Sequence, residues 1–223
     1  LEAFGSQGLP ELPAEVSELH VGTLALASDP PAAAVAELAE REASTRALVV
    51  DPNIRPLAIA DRAGYLLRFE RLAVVADLVK LSVSDAAWLY PGLSEHETAA
   101  RLLAGGAGCV ALTRGSAGAA AWTTTVSVTA DAPRVTVVDT VGAGDAFGAG
   151  LLAWLWRSGR SSRALRDLDA TELETGLRYA CAVAAAQCTR ASAWGPAMAD
   201  VEKLLPSPAV AGAEERDGGA RVR

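Results

Sequence analysis

Short apolar runs alternate with amphipathic stretches along the chain, regularly enough to place its elements. An apolar run over Leu19–Leu26 is followed by Asp29-Pro30-Pro31, where proline suits the first turn of a helix running to about Ala43. Ala47–Val50 is a continuous apolar run ending at Asp51, the shape of a strand buried on both faces. Periodicity then predicts a helix over about Ile59–Val75 and a strand at Leu78–Leu81. Ser94 and Glu97 form a capping box for a helix reaching about Ala104. Cys109–Thr113 reads as a strand, and Ala117–Trp122 with Thr125–Thr129 as an antiparallel pair. Val135–Val138 reads as a further strand leading into a glycine-rich turn. Two more helices are predicted over about Asp145–Arg157 and Glu172–Thr189. The segment after Pro206, rich in Ala, Gly and charge, predicts disorder. This order implies an α/β fold, with a mainly parallel central sheet covered by helices on both faces. Its core spans residues 1–205, with a tail over 206–223 and no internal repeat.

Composition narrows the function classes. Hydrophobic residues make up 51% and charged residues 21%, which places the chain among globular rather than disordered sequences. A net charge of −7 and a pI near 4.9 argue against a nucleic-acid surface, which needs a basic patch. Five scattered tryptophans offer no stacking platform for bases either. The most apolar stretches, such as Ala180–Cys188, are far shorter than the roughly 20 residues that span a bilayer, so no membrane contact is expected. No basic-then-apolar leader segment is read at the start. Cys109, Cys181 and Cys188 are odd in number and form no CxxC pair, so they read as small hydrophobes in a reducing compartment. A cytoplasmic protein is expected. His20 and His96 are isolated and read as structural or surface residues.

The chemistry concentrates in Thr140-Val141-Gly142-Ala143-Gly144-Asp145, between the apolar Val137-Val138 and an apolar helix from Ala146 onward. Small residues there let the backbone approach a ligand, and a helix start presents free N–H groups to an anion, with phosphate the natural guest. An aspartate beside a phosphate needs a reason. A general base that takes a proton from an attacking hydroxyl supplies one. The local residues leave another reading open: a glycine turn for close packing, with Asp145 a first-turn acid favoured by the helix dipole. Two familiar nucleotide motifs fail. The dinucleotide pattern G-x-G-x-x-G meets Phe147 where its third glycine belongs, and no Gly-Lys-Ser/Thr run completes a P-loop.

The stretch Asp139–Asp145 resembles the signature of the ribokinase-like (PfkB) carbohydrate kinases. Three further segments resemble that family in the same order, covering about Leu19–Asp200. Asp51-Pro52-Asn53-Ile54-Arg55-Pro56 is similar to a segment of its fructokinase-like branch. Lys80–Asp85, followed by Trp88-Leu89-Tyr90, is similar to its Asn-x-x-Glu region. Leu112–Gly118 is similar to its nucleotide loop. The resemblance implies a ribokinase-like three-layer α/β/α fold and an ATP-dependent sugar kinase, with a ketose such as fructose as the preferred acceptor. Asp145 would be the base, and the N–H groups of Gly142, Ala143 and Gly144 an anion hole. Thr113, Gly115, Gly118, Lys80, Ser82 and Ala184 would contact ATP, with Ala184 near the adenine. Asn53 and Arg55 would meet the phosphate or the acceptor.

Asp85 would meet Mg²⁺, through water, and Asp139 with Val141 would hold K⁺ together with the loop Arg190–Pro196. Ser82 and Asp85 stand where the family often has asparagine and glutamate, and Ser192 replaces a usual glycine. Relatives begin with a strand, a glycine-pair segment that holds the sugar, and a β lid that commonly forms a dimer contact. No counterpart is read before Leu19. The implied partners are ATP and a small sugar, with a homodimer in a longer protein. A nucleoside or sugar-acid kinase on the same scaffold, and a nucleotide-binding remnant without catalysis, are the other readings.

Overall fold

A computed structural model describes residues 9–191 and 195–205. Six strands form one sheet in chain order: β1 Glu18–Gly22, β2 Ala47–Asp51, β3 Leu78–Ser82, β4 Cys109–Thr113, β5 Ala119–Trp122 and β6 Ser127–Ala130. The first four are parallel, and β5 and β6 are antiparallel. The expected hairpin is therefore present, its first strand starting after a 3₁₀ turn at Gly115–Ala117.

The strand order decides where the helices go. Right-handed crossovers that always step in the same direction place every connecting helix on one face. That face carries α1 Pro31–Glu42, α2 Arg62–Val75, α3 Val83–Leu89 and α4 Glu95–Gly105. Their Ala36, Ala39, Tyr65, Phe69, Leu72, Leu89 and Leu102 pack against Leu48, Val50, Val79, Leu81, Val110 and Leu112 of the strands. Side chains alternate along a strand, so Val49, Leu78, Cys109 and Ala111 face the other way. There they meet Phe147, Leu151 and Leu155 of α5 Ala143–Arg157 and Leu173, Leu177 and Cys181 of α6 Ala170–Cys188. The sheet is thus covered on both sides, as its continuous apolar runs require.

The pair α5–α6 is packed at glycine distance. A Cβ at Gly150 would stand 2.9 Å from Val183 Cβ, and one at Gly176 would stand 2.7 Å from the Trp154 ring. A buried Asp77 pins the rest of this layer. It accepts from the Leu48 N–H at 3.0 Å and from Arg166 at 2.8 Å, joining the 3₁₀ segment Ser162–Asp167 to the strand starts. A last short helix, α7 Met198–Glu202, buries Val201 against α6.

Several boundaries differ from the pattern-based reading for identifiable reasons. α2 begins at Arg62 because Asp61 caps it, accepting from the Gly64 N–H at 3.0 Å. α6 begins at Ala170 because Asp169 does the same for Glu172. Leu19–Leu26 splits into β1 and a 3₁₀ turn, Thr23–Leu26. The expected strand over Val135–Val138 does not form. Val137 and Val138 are more than half exposed, and the N–H groups of Val138 and Asp139 donate to the Cys188 carbonyl at 2.8 and 3.3 Å. That carbonyl is one of those a helix end leaves unpartnered, so this segment docks on α6 instead of extending the sheet.

Candidate active site

The candidate residues gather at the carboxyl ends of β2, β3 and β4, where open α/β sheets bind ligands. Asp51, Ser82 and Thr113 are the final residues of those strands, and Ser82 and Thr113 are direct register partners. Above this edge lies the start of α5. Gly142 is its N-cap at φ +78°, a left-handed conformation that favours glycine. The Asp139 carboxylate accepts from the Val141 N–H at 3.0 Å and the Thr140 carbonyl accepts from the Ala143 N–H at 3.1 Å, so the turn is internally braced.

This bracing changes which donors are free. Ala143 spends its N–H within the turn, whereas the N–H groups of Gly142, Gly144 and Asp145 make no hydrogen bond among the described residues. Asp145 is the third residue of the helix and its side chain is exposed. An exposed carboxylate therefore stands beside N–H groups able to receive an anion. The Val141 carbonyl is braced from behind by the amide of the buried Gln187, at 3.4 Å.

Beneath the turn lies a group that sequence reasoning placed only as a nucleotide contact. Lys80 points from β3 toward α5 and is buried, its Nζ 2.7 Å from Asp51 Oδ2. A Cβ at Gly144 would stand 3.1 Å from that Nζ. Burial pushes the Asp51 carboxyl above its ordinary value, with the Lys80 ammonium pulling the other way. Sequence reasoning gives Asp51 as the end of a strand and the first residue of the Asp51–Pro56 segment, without its charge partner. The available signal was an acid and a base in two otherwise apolar strands, ALVVD and LVKLS.

Asp85 sits elsewhere than an open metal site would need. It is buried, and its oxygens accept from the Ile54 N–H at 2.7 Å, the Ser82 N–H at 2.8 Å and the Ser82 hydroxyl at 2.5 Å. With the Ser82 oxygen accepting from its own N–H, it forms a capping box for α3. The Asp85 contact to Ile54 ties the Asn53–Arg55 segment to that helix start. Asn53 has φ +37°, and the exposed Arg55 donates to the carbonyls of Asn53 and Ile54 at 3.3 and 3.2 Å.

Thr113 donates to the Leu81 carbonyl at 3.3 Å. The loop that follows is closed by the Arg114 N–H donating to the Gly118 carbonyl at 2.8 Å. Gly118 has no alternative: at φ +85° a Cβ would meet the Ala130 carbonyl oxygen at 2.0 Å. Gly115 is exposed with open space above it. Ala184 is half-buried against the α5-side core. Ser192, Ala193 and Trp194 of the expected potassium loop lie outside the described residues. Two surface hollows, of about 410 and 450 Å³, lie away from this edge, beside the β5–β6 turn and between α2 and α4.

Fold and site together define an α/β protein whose phosphate-type turn opens a helix at the carboxyl edge of a mainly parallel sheet. Residues 7–199 match the pfkB family of carbohydrate kinases, and the chain belongs to that family. A fructokinase from Rhizobium leguminosarum bv. trifolii is 40% identical over 171 residues, covering 75% of this chain and 52% of that protein. A crystal structure of fructokinase with bound ATP from Xylella fastidiosa superimposes with a TM-score of 0.77 at 25% identity, over 84% of this chain and 61% of that one. Aminoimidazole riboside kinase from Salmonella enterica gives a TM-score of 0.73 at 26% identity, over 85% of this chain and 62% of that one. The chain therefore spans about half to three fifths of the length of these relatives.

Proposed function

We propose that this chain carries the nucleotide-binding and phosphoryl-transfer half of an ATP-dependent sugar kinase, with fructose the acceptor. The observation that carries this reading is the exposed Asp145 next to free N–H groups at the α5 start, in a member of the pfkB family. Asp145 would take the proton of the acceptor hydroxyl as its oxygen attacks the γ-phosphorus. The bond to ADP then breaks, and ADP leaves with the bridging oxygen. The N–H groups of Gly142, Gly144 and Asp145 would hold the charge on the transferring group, and that of Ala143 would keep the turn in shape. Thr113, Gly115 and Gly118 would border the nucleotide, with Ser82 toward its phosphates and Ala184 toward the adenine.

Magnesium would enter with the nucleotide and would supply positive charge beside its phosphates, on the side where Ser82 lies. The buried, triply hydrogen-bonded Asp85 does not fit a direct ligand. Asp139 and the Val141 carbonyl supply oxygens of the kind a potassium ion takes, which potassium dependence of turnover tests. Fructose as acceptor is supported by the names of the Rhizobium and Xylella relatives. A nucleoside as acceptor is favoured by the likeness to aminoimidazole riboside kinase. Relative kcat/KM across fructose, ribose, a sugar acid and a nucleoside separates these readings.

Asp145→Asn should lower kcat by roughly 10²–10⁴ while ATP still binds. Normal turnover in that variant would remove Asp145 from the chemistry. Acceptor-dependent ADP release by the 223-residue chain alone would exclude a remnant without catalysis. A cytoplasmic location, and self-association of a longer protein, follow only from composition and family likeness. Fractionation and sedimentation test them.

A further inference from the structure

We infer that Gln187, on α6, is a positioning residue for the transferring phosphoryl group, because it aims the Gly142 N–H through the peptide that Gly142 shares with Val141. The inference rests on the kinase reading above. Gln187 is 2% exposed and is the only buried amide side chain among the described residues. Its buried neighbours on α6, Ala185 and Ala186, are small and apolar. A buried amide is unfavourable unless it is hydrogen-bonded, and an apolar side chain would fill the same space without that requirement. Core packing alone therefore does not account for it.

What it holds does. Gln187 Nε2 donates to the Val141 carbonyl at 3.4 Å, the sole hydrogen bond to that oxygen among the described residues. A peptide unit is planar and trans, so its C=O and N–H point in opposite directions. A Val141 carbonyl drawn back toward α6 therefore turns the Gly142 N–H, one of the free donors of the turn, away from α6. Little else fixes this peptide. The Val141 side chain is 61% exposed and gives no anchor. Gly142, at φ +78°, takes either sign of φ with equal ease and so resists rotation of the preceding peptide least of all residues. One residue on, the Cys188 carbonyl accepts from the N–H groups of Val138 and Asp139. Any residue at 188 could make that main-chain contact, whereas the Val141 contact needs a donor side chain of the right reach. The end of α6 thus holds the turn at its entry by backbone and at its tip by Gln187. A donor aimed in advance needs no reorganisation when negative charge develops before it.

Calorimetric titration of the whole chain tests this, with MgADP alone and with MgADP plus tetrafluoroaluminate, a planar anion resembling the transferring group. Gln187→Met keeps the length of the side chain and removes its donor, and Gln187→Glu keeps the shape and leaves only acceptors. Both variants should bind MgADP within about twofold of the unmodified chain and lose roughly tenfold in affinity for the fluoroaluminate complex. Gln187→Met should keep its melting temperature. Unchanged fluoroaluminate affinity in Gln187→Met would overturn the proposal. So would equal loss of both ligands in both variants with a fall in melting temperature, the mark of a purely structural amide. An unmodified chain that binds MgADP with no gain from fluoroaluminate would overturn it too, while leaving the nucleotide site in place. One that binds neither ligand would sink the kinase reading itself, and this inference with it.

Discussion

Cys109 is fully enclosed on β4, and burial pushes its thiol up to about 12. Burial, with the Asp131 charge adding to it, takes Cys181 to about 11. Cys188 is half-buried at the end of α6 and is also raised, by burial and then by Asp139, but it reaches solvent. The thiolate is the reactive form, so at pH 8 both buried thiols stay protonated and shielded. Iodoacetamide at pH 8 should label Cys188 first and spare Cys109 and Cys181 until the chain is denatured, as peptide mass spectrometry would read. Rapid labelling of Cys109 in the native chain would contradict the packing of β4. The same scale shows what the sequence could carry of the site. The turn was legible because its glycines and Asp145 are neighbours along the chain. The Asp51–Lys80 contact joins residues 29 apart in sequence, which no local pattern reports.

At the scale of elements, the helix that presents the turn is held by its contact with α6. Gly150→Ala would force a methyl group against Val183 Cβ and Ala180 Cα, which lie 2.9 and 3.1 Å from where it must go. Overpacking of this kind costs roughly 1–3 kcal/mol. Urea denaturation should show that loss, and nucleotide affinity should fall with it because α5 carries the turn. A stability equal to the unmodified chain would mean that α5 and α6 can separate freely. Strands β2, β3 and β4 were readable because a strand buried on both faces is apolar throughout. α3 was not, since seven residues make less than two turns of periodicity. Val135–Val138 misled for the opposite reason: β-branched residues suggest a strand, but their backbone is satisfied by the end of α6.

For the molecule as a whole, the described core closes at its far end on α7 and the short segment that follows it, with Val201 buried and Leu204 and Leu205 partly buried against α6. No helix among the described residues is long and apolar enough to cross a membrane. The three-layer class followed from the alternation of elements, but the strictly sequential strand order did not. Which neighbour a strand chooses is set by crossover direction, a property of the folded chain.

That order has a consequence for how the protein is made. Each strand after the first pairs with the one synthesised just before it, so a chain leaving the ribosome can add strands one at a time, each across a helical crossover or a hairpin rather than a long-range pairing. The layer bearing the phosphate-type turn is different. Among the described residues α5 and α6 are the last long elements, and they supply the apolar cover of the sheet's second face. A nascent chain halted before α6 would leave much of that apolar face open, exposed to aggregation at the stage when it most needs cover.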